Sequence, residues 1–414
     1  MASSRTAPLT NPLTLPCGKT LKNRLLKSAM SESMATPSGR VTKALPRLYG
    51  RWAAGGCGTL VTGNVMVDKR ALVEPQVVVL ENAQDLPQLH AWAQAGQAQG
   101  TLVLMQLSHP GKQTPKGLNR ETVAPSAVPF AGPLRRLFAT PRALTEAEIE
   151  DLIERFGRSA ELAQQAGFGG VQVHGAHGYL VSQFLSPRHN LRRDAFGGTA
   201  TKRMAFVLAI YDRIRLGVGP SFPVSIKLNS ADFQRGGFGH EESLDVISAL
   251  VERGVDLLEI SGGTYEAPAM AQGPQKASTQ AREAYFLEFA AAARSRCRQV
   301  PLCVTGGFRS TQGMLDGLQA GIDLVGLARP LAVEPDLPQR LFRDVQAVAP
   351  TRQLRTGIGP VDDTAFMEVA WYARQLHRLG RGKAPRPNEQ ATLALGKILL
   401  DQGVQGLRTR LAKH

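Results

Sequence analysis

Two imidazoles and a phenol fall within six residues in His174-Gly-Ala-His177-Gly-Tyr179, and the segment runs on as Leu180-Val-Ser-Gln-Phe-Leu-Ser-Pro-Arg188. It follows directly on the apolar run Gly170-Val-Gln-Val173. An apolar run without alternation reads as a strand buried on both faces. Three groups that can each hold or donate a proton at the end of such a strand point to a reaction site. A lone histidine there would read as a loop residue satisfying a nearby carbonyl. A pair with a tyrosine, set among glycines, reads as chemistry.

A recurrent unit positions that segment: a helix tail, a glycine, then an apolar run. It occurs as Ala53-Ala-Gly-Gly-Cys-Gly-Thr-Leu-Val-Thr62, Ala98-Gln-Gly-Thr-Leu-Val-Leu-Met105 and Ala166-Gly-Phe-Gly-Gly-Val-Gln-Val173. It recurs as Arg253-Gly-Val-Asp-Leu-Leu-Glu-Ile260 and Ala320-Gly-Ile-Asp-Leu-Val-Gly-Leu327. The glycine suits the left-handed end of a helix, and the run after it suits a parallel strand. Further strands are expected at Leu25–Ser28, Pro223–Leu228 and Pro301–Val304. Helices are marked by the capping box Thr145-Glu-Ala-Glu148 and by the stripe Leu244, Ile247, Leu250, Val251. Eight such β/α units imply an α/β fold, a (β/α)8 TIM barrel. A doubly wound sheet would carry an early Gly-x-Gly-x-x-Gly, which this sequence lacks.

The barrel is expected over residues 1–345, with a helical extension over 346–414. Leu9 to Asn23 reads as a hairpin covering the barrel bottom. His109 to Arg142, long and rich in Pro, Gly and basic residues, reads as a lid or capping excursion after the third strand. In the extension, Glu368–Leu379 and Glu389–Leu411 read as helices around a Pro-rich break at Arg381–Asn388.

Barrel enzymes place their chemistry at the C-terminal strand ends. Those ends carry Ser28, Ala29, Met30 and Ser31, then Thr62-Gly63-Asn64, Gln106, and His174 with His177. Lys227, Ser261-Gly-Gly263, Thr305-Gly306-Gly307 and Ala328-Arg329 complete the set. No carboxylate pair suits glycoside hydrolysis, and no nucleophile elbow suits acyl transfer. No metal ligand set stands out. Gly306, Gly307 and Arg329, at strands seven and eight, carry the phosphate signal. With Gln106, Lys227 and His174 around the mouth, the set could hold flavin mononucleotide (FMN), a cation near N1 stabilising the reduced ring.

The 414 residues are 43% apolar, with four cysteines far apart and none in a CxxC pair. That argues against zinc and iron–sulfur sites and suits a reducing cytoplasm. No stretch suits a membrane span, and Met1-Ala-Ser-Ser-Arg-Thr-Ala-Pro has no apolar signal core. The net charge of +15 comes without a nucleic-acid motif, so no nucleic-acid partner is expected. Part of the excess lies in Arg374 to His414, with nine Lys/Arg against two acids.

With these motifs in place, the chain resembles the Old Yellow Enzyme family of FMN-dependent oxidoreductases over about residues 8 to 345. The resemblance rests on His174–Arg188, continuing through Asn190, Arg193 and Phe196-Gly-Gly198. It rests also on Lys22-Asn-Arg24, Gln106-Leu-Ser-His-Pro-Gly-Lys112, Thr305-Gly-Gly-Phe308 and Gly326-Leu-Ala-Arg329. It implies hydride transfer from NADPH or NADH through FMN to the C=C bond of an electron-poor alkene, an α,β-unsaturated carbonyl or nitro compound. His174 and His177 would hold the substrate oxygen and Tyr179 would donate the proton. The implied flavin contacts are Ser28, Ala29, Met30, Ser31, Gly63, Gln106, His174, Lys227, Gly306, Gly307, Gly326, Ala328 and Arg329.

The sequence departs from the family at several positions. Ala29 stands where many members have proline, Ser31 where branches have Thr or Cys, His177 where part of the family has Asn, and Lys227 where Arg is common. Four cysteines are too few for the iron–sulfur and dinucleotide domains of the long dienoyl-CoA reductase branch. Oxygen, a quinone or a dienoyl thioester as acceptor is the alternative enzyme reading. An FMN-binding regulatory module acting through the basic C-terminal segment is the non-enzymatic one. The substrate-facing walls are expected from His109–Arg142 and Gly262–Gln280, with Tyr265 as one candidate. Lys112, Lys116, Arg135 and Arg136 in the excursion lean the donor toward NADPH. Self-association as a homo-oligomer stays open.

Overall fold

Eight parallel strands close on themselves in the computed structural model, which describes residues 4–132, 134–267, 287–352, 354–358 and 366–411. They are β1 (Leu25–Lys27), β2 (Thr59–Met66), β3 (Leu102–Ser108) and β4 (Gly170–Gly175). They continue as β5 (Val224–Asn229), β6 (Leu257–Ser261), β7 (Leu302–Thr305) and β8 (Leu324–Leu327). Each pairs with its sequence neighbour, and β8 pairs with β1 to complete the (β/α)8 barrel. The helices between strands are α1 (Ala44–Ala54), α2 (Leu86–Gly96), α3 (Glu146–Gln165) and α4 (Ala200–Val218). They continue as α5 (His240–Glu252), α6 (Leu287–Arg296) and α7 (Thr311–Gln319). The recurrent glycine takes the left-handed conformation the units require, with φ +83° at Gly167 and +79° at Gly254. The capping box at the start of α3 forms, with Thr145 and Glu148 bonded reciprocally.

Strand residues alternate between the barrel interior and the helices. Val171, Val173, Ile226, Leu258 and Val304 face outward into the large core. Inside, Leu26, Val61, Leu104, Leu257, Cys303 and Leu324 form an apolar plug. Leu13–Thr14 and Thr20–Leu21 pair as the expected N-terminal hairpin. Leu15 and Leu21 press on the plug from below.

Two residues further along the strands, the interior turns polar. Lys227 Nζ and Glu259 Oε1 form an ion pair at 2.9 Å, both essentially shut from water. Ser28 and Thr305 donate their hydroxyls to the same carboxylate, Thr305 at 2.7 Å. Gln172 Nε2 donates to Glu259 Oε2 at 2.8 Å, and Gln106 Nε2 donates to Gln172 Oε1 at 2.8 Å. This network joins side chains from β3, β4, β5, β6 and β7 and the residue after β1. Burial alone would raise the Glu259 carboxyl, but Lys227 and the two hydroxyls overcome it and hold it down, at about 2.

After β8 the chain forms α8 (Phe366–Gly380) and α9 (Ala391–Leu411). Helix α8 packs on the barrel mouth, not away from it. His377 Nε2 lies 2.7 Å from the Glu32 carbonyl, and Arg47 Nη1 donates to the Gly380 carbonyl at 3.1 Å. Among the described residues, no helix is long and apolar enough to cross a membrane.

Removing one member of a buried pair leaves an uncompensated charge. Glu259→Ala should therefore cost about 3–5 kcal/mol of unfolding free energy, measured by denaturant titration. Glu259→Leu combined with Lys227→Met should recover most of it. A depressed carboxyl stabilises the fold above its ordinary 4.5 and loses that contribution as pH falls toward 2. Glu259→Gln should flatten this acid limb of the stability curve, and an unchanged limb would contradict the assignment.

Candidate active site

A cavity of about 490 Å³ opens at the C-terminal strand ends. Its walls gather nearly all the residues expected from the sequence: Ser28, Ala29, Met30, Ser31, Gln106, His174, His177, Tyr179, Lys227, Gly306, Gly307, Gly326, Ala328 and Arg329. Gly63 is the one left out. A bulge in β2 shifts the register between Val61 and Asn64 and sets Asn64 opposite Gln106. Asn64 therefore lines the cavity. The Gly63 N–H points away, donating to Glu32 Oε1 and to the Tyr49 hydroxyl, each at 3.2 Å.

His174, the fifth residue of β4, and His177, just beyond that strand, form one wall. His177 has φ +60°, a left-handed conformation rare for a side-chain-bearing residue, and its N–H donates to Asn229 Oδ1 at 3.0 Å. Its Nδ1 lies 3.1 Å from His174 Nε2, and its Nε2 lies 2.7 Å from the Ser261 hydroxyl. His174 Nδ1 faces Asn64 Oδ1 at 3.1 Å. Because that oxygen only accepts, His174 carries its proton on Nδ1. His177 then donates from Nδ1 to His174, and Ser261 donates to His177. Burial, then the Lys227 charge, pushes the His177 imidazole down to about 3. Burial, then His177, pushes His174 well below its usual value. Both rings are neutral at pH 7.

Tyr179 packs at a tilt against His174, with ring centroids 4.4 Å apart. Its hydroxyl lies 3.1 Å from that of Tyr265. Burial, with Tyr265 beside it, raises the Tyr179 phenol well above its usual 10, so it stays protonated.

Across the cavity, Gly306 and Gly307 follow β7 with φ +129° and +84°. That conformation brings bare backbone to the cavity at the approach to α7, whose N-terminus Ser310 caps. Arg329 lies at the same corner, ion-paired with Glu368 of α8. The sequence placed no extension residue in the site. Yet Glu368, Val369, Tyr372, Ala373 and Leu376 all line the cavity, as do Arg309 and Arg352. The apolar spacing of α8 marks a helix but not what it covers, which is why they were missed.

The excursion over 109–142 lies elsewhere than expected. None of its described residues lines the cavity. It packs behind Tyr265, with Phe138 against that ring and Phe130 against Phe138. Lys112 is buried over the Phe130 ring and contacts Glu266 Oε2 at 3.5 Å and His189 Nδ1 at 3.2 Å. It is thus spent inside the fold and not offered to a dinucleotide; Arg135 and Arg136 are exposed. Of the Gly262–Gln280 wall, Gly262 to Tyr265 line the cavity, and residues beyond 267 lie outside the described residues.

The sequence profile of the NADH:flavin oxidoreductase / NADH oxidase family matches residues 8–347. The NADH-dependent flavin oxidoreductase iccE of Talaromyces variabilis is 39% identical over 408 residues, 90% of this chain and 98% of that protein. The NADH-dependent flavin oxidoreductase iliE of Neonectria sp. is 40% identical over 353 residues, 79% of this chain but only 46% of that longer protein. Among solved structures, a 2-naphthoyl-CoA reductase bound to 2-naphthoyl-CoA superposes with a TM-score of 0.74 at 26% identity, covering 83% of this chain and 54% of its own. Morphinone reductase in complex with tetrahydroNAD superposes with a TM-score of 0.67 at 25% identity, covering 80% and 90%.

The electrostatics of the histidine wall predict that neither His174 nor His177 titrates between pH 5 and 8. Side-chain ¹⁵N NMR should show two neutral rings throughout that range, and an imidazolium signal at pH 6 from either would contradict it.

Proposed function

Since this chain belongs to the NADH:flavin oxidoreductase / NADH oxidase family, the Old Yellow Enzyme family of FMN-dependent oxidoreductases, we propose that it reduces the C=C bond of an α,β-unsaturated carbonyl or nitro compound, with NADH as donor. One observation carries the reading. His174, His177 and Tyr179 converge on one wall of a cavity whose other walls hold an amide, a cation and a phosphate-type corner.

The donor set fits FMN. Gln106 offers an amide to the ring edge, and Lys227 a buried cation. Gly306 and Gly307 offer backbone at left-handed φ, and Arg329 a guanidinium. FMN held there would supply the two-electron chemistry that links the nicotinamide to the alkene. The protein's own part is polar. A substrate oxygen entering between the two imidazoles takes the N–H that now joins them. Charge developing on that oxygen is then met by the His177 Nδ1–H, a neutral donor that need not lose its proton to act. It is met also by His174 once its proton moves to Nε2 and its Nδ1 accepts from the Ser108 hydroxyl. Tyr179, kept protonated by burial, gives its proton to the carbon beside the activating group. Lys227 adds a fixed positive charge beneath. Its ion pair with Glu259 keeps it in place, with one nitrogen where the family's common arginine has a fork.

The purified protein should be yellow, and NADH should bleach it without oxygen. Adding 2-cyclohexen-1-one or a nitroalkene should restore the colour. Failure with both, while oxygen or a quinone succeeds, would move the reading to another acceptor. His177→Ala should slow reoxidation by the alkene by roughly 10²–10³ while FMN stays bound. Tyr179→Phe should slow reoxidation and spare reduction by NADH; equal slowing of both half-reactions would refute its role as acid.

A further inference from the structure

A buried acid that gives up its proton must recover it before the next turnover. Tyr179 is only 5% exposed and packs among Met66, Leu72, Val73, Val77 and Leu118. Its hydroxyl meets the Tyr265 hydroxyl at 3.1 Å, within hydrogen-bond range. Tyr265 is 39% exposed and also lines the cavity. One phenol of the pair is sealed, and the other touches its partner on a side chain that is partly open to solvent.

We propose that Tyr265 is a proton relay, returning to Tyr179, from solvent, the proton each turnover consumes. The proposal rests on the reading of Tyr179 as the acid. The balance is simple. The alkene gains hydride at one carbon and the Tyr179 proton at the other, breaking the Tyr179 O–H bond. The Tyr179 phenolate then takes the Tyr265 proton. Tyr265 takes one from water or a buffer acid, and both phenols are restored. Burial lifts the Tyr265 phenol to about 12 and Tyr179 well above 10, so both hold their protons at rest.

The fold aims Tyr265 at its partner. Its neighbour Glu266 is clamped by Lys112 Nζ at 3.5 Å and His189 Nε2 at 3.6 Å, and it accepts the Ala131 N–H at 3.1 Å. Phe138 packs edge-on against the Tyr265 ring at 6.1 Å. The excursion over 109–142 therefore reaches the site at Tyr265 as well as through Leu118, packed on Tyr179, and Gln113, whose Nε2 donates to the His177 carbonyl at 3.0 Å. The other polar groups around the pair are the Asn64 amide, which hydrogen-bonds Tyr179, the His174 ring, and the Glu74 carboxyl. Asn64 carries no acidic proton for this purpose, and His174 is neutral. Glu74 is raised by burial to about 7 and acts on both phenols, so it is the competing proton source.

The test separates the first turnover from those that follow. Tyr265→Phe holoenzyme, reduced by excess dithionite, is mixed with 2-cyclohexen-1-one in a stopped-flow instrument. The first reoxidation should stay within about twofold of the wild-type rate, because Tyr179 begins protonated. Later turnovers should slow at least tenfold, with a larger solvent isotope effect. Phenol binding to the oxidised variant, read by its charge-transfer band, should stay within about twofold and so report an intact cavity. Later turnovers at the wild-type rate would overturn the relay. So would equal slowing of the first, which would make Tyr265 a positioning group only. Glu74→Gln reproducing the multiple-turnover lag while Tyr265→Phe does not would transfer the role to Glu74. A wild-type enzyme that leaves the alkene unreduced in the first turnover removes the acid reading, and the relay with it.

Discussion

The Lys227–Glu259 ion pair is the interaction on which the rest of the site depends. Two charges at the centre of a barrel are costly to desolvate, and attraction alone does not repay the cost. Here the carboxylate is also met by Ser28, Thr305 and Gln172, so its lone pairs are occupied. The partners come from different strands, so satisfying one carboxylate fixes the relative register of most of the barrel. The apolar plug below supplies burial without direction. The polar layer above it supplies direction, since each hydrogen bond has one geometry.

The same pair sets the electrostatics of the cavity floor. Lys227 reaches the cavity while its partner lies behind it, so the cavity faces the cation. That charge adds to burial in holding His177 and His174 neutral. A neutral imidazole donates a hydrogen bond without risking proton loss to a developing oxyanion. The acid task then falls to a phenol that burial keeps protonated. Two kinds of group with separated pKa values perform two separate tasks.

Much of this was legible in the sequence where a local rule governs it. The left-handed glycines, the Thr145 capping box and the uninterrupted apolar runs each express a short-range constraint, and the eight strands form where those runs lie. The strand-end inventory located the cavity because barrel geometry converts strand ends into one surface. Glu259 escaped notice because it sits one position before Ile260 in a run that reads as buried and apolar. Nothing local shows that its side chain turns into the barrel to meet Lys227. Gly63 was misplaced for a related reason. The period-two count fails at a bulge, and a bulge depends on pairing with β3, not on β2 alone. Lys112 read as a basic lid residue because composition carries no information on burial.

The C-terminal extension shows the same limit at larger scale. The family profile stops at residue 347, and from sequence this segment was a helical extension with no residue in the site. In the fold, α8 sets Glu368 against Arg329 and Tyr372 against the cavity. The tie runs both ways. His377 reaches the Glu32 carbonyl, while the Glu32 carboxylate accepts from the Gly63 N–H and the Tyr49 hydroxyl. Glu32 lies one residue beyond the lining segment Ser28 to Ser31. A shift of α8 therefore disturbs both the phosphate corner and the loop after β1, which follow the paired strands β8 and β1. A helix beyond the eight-unit repeat thus acts as a wall of the site, and the barrel without it would leave that cavity open on one side.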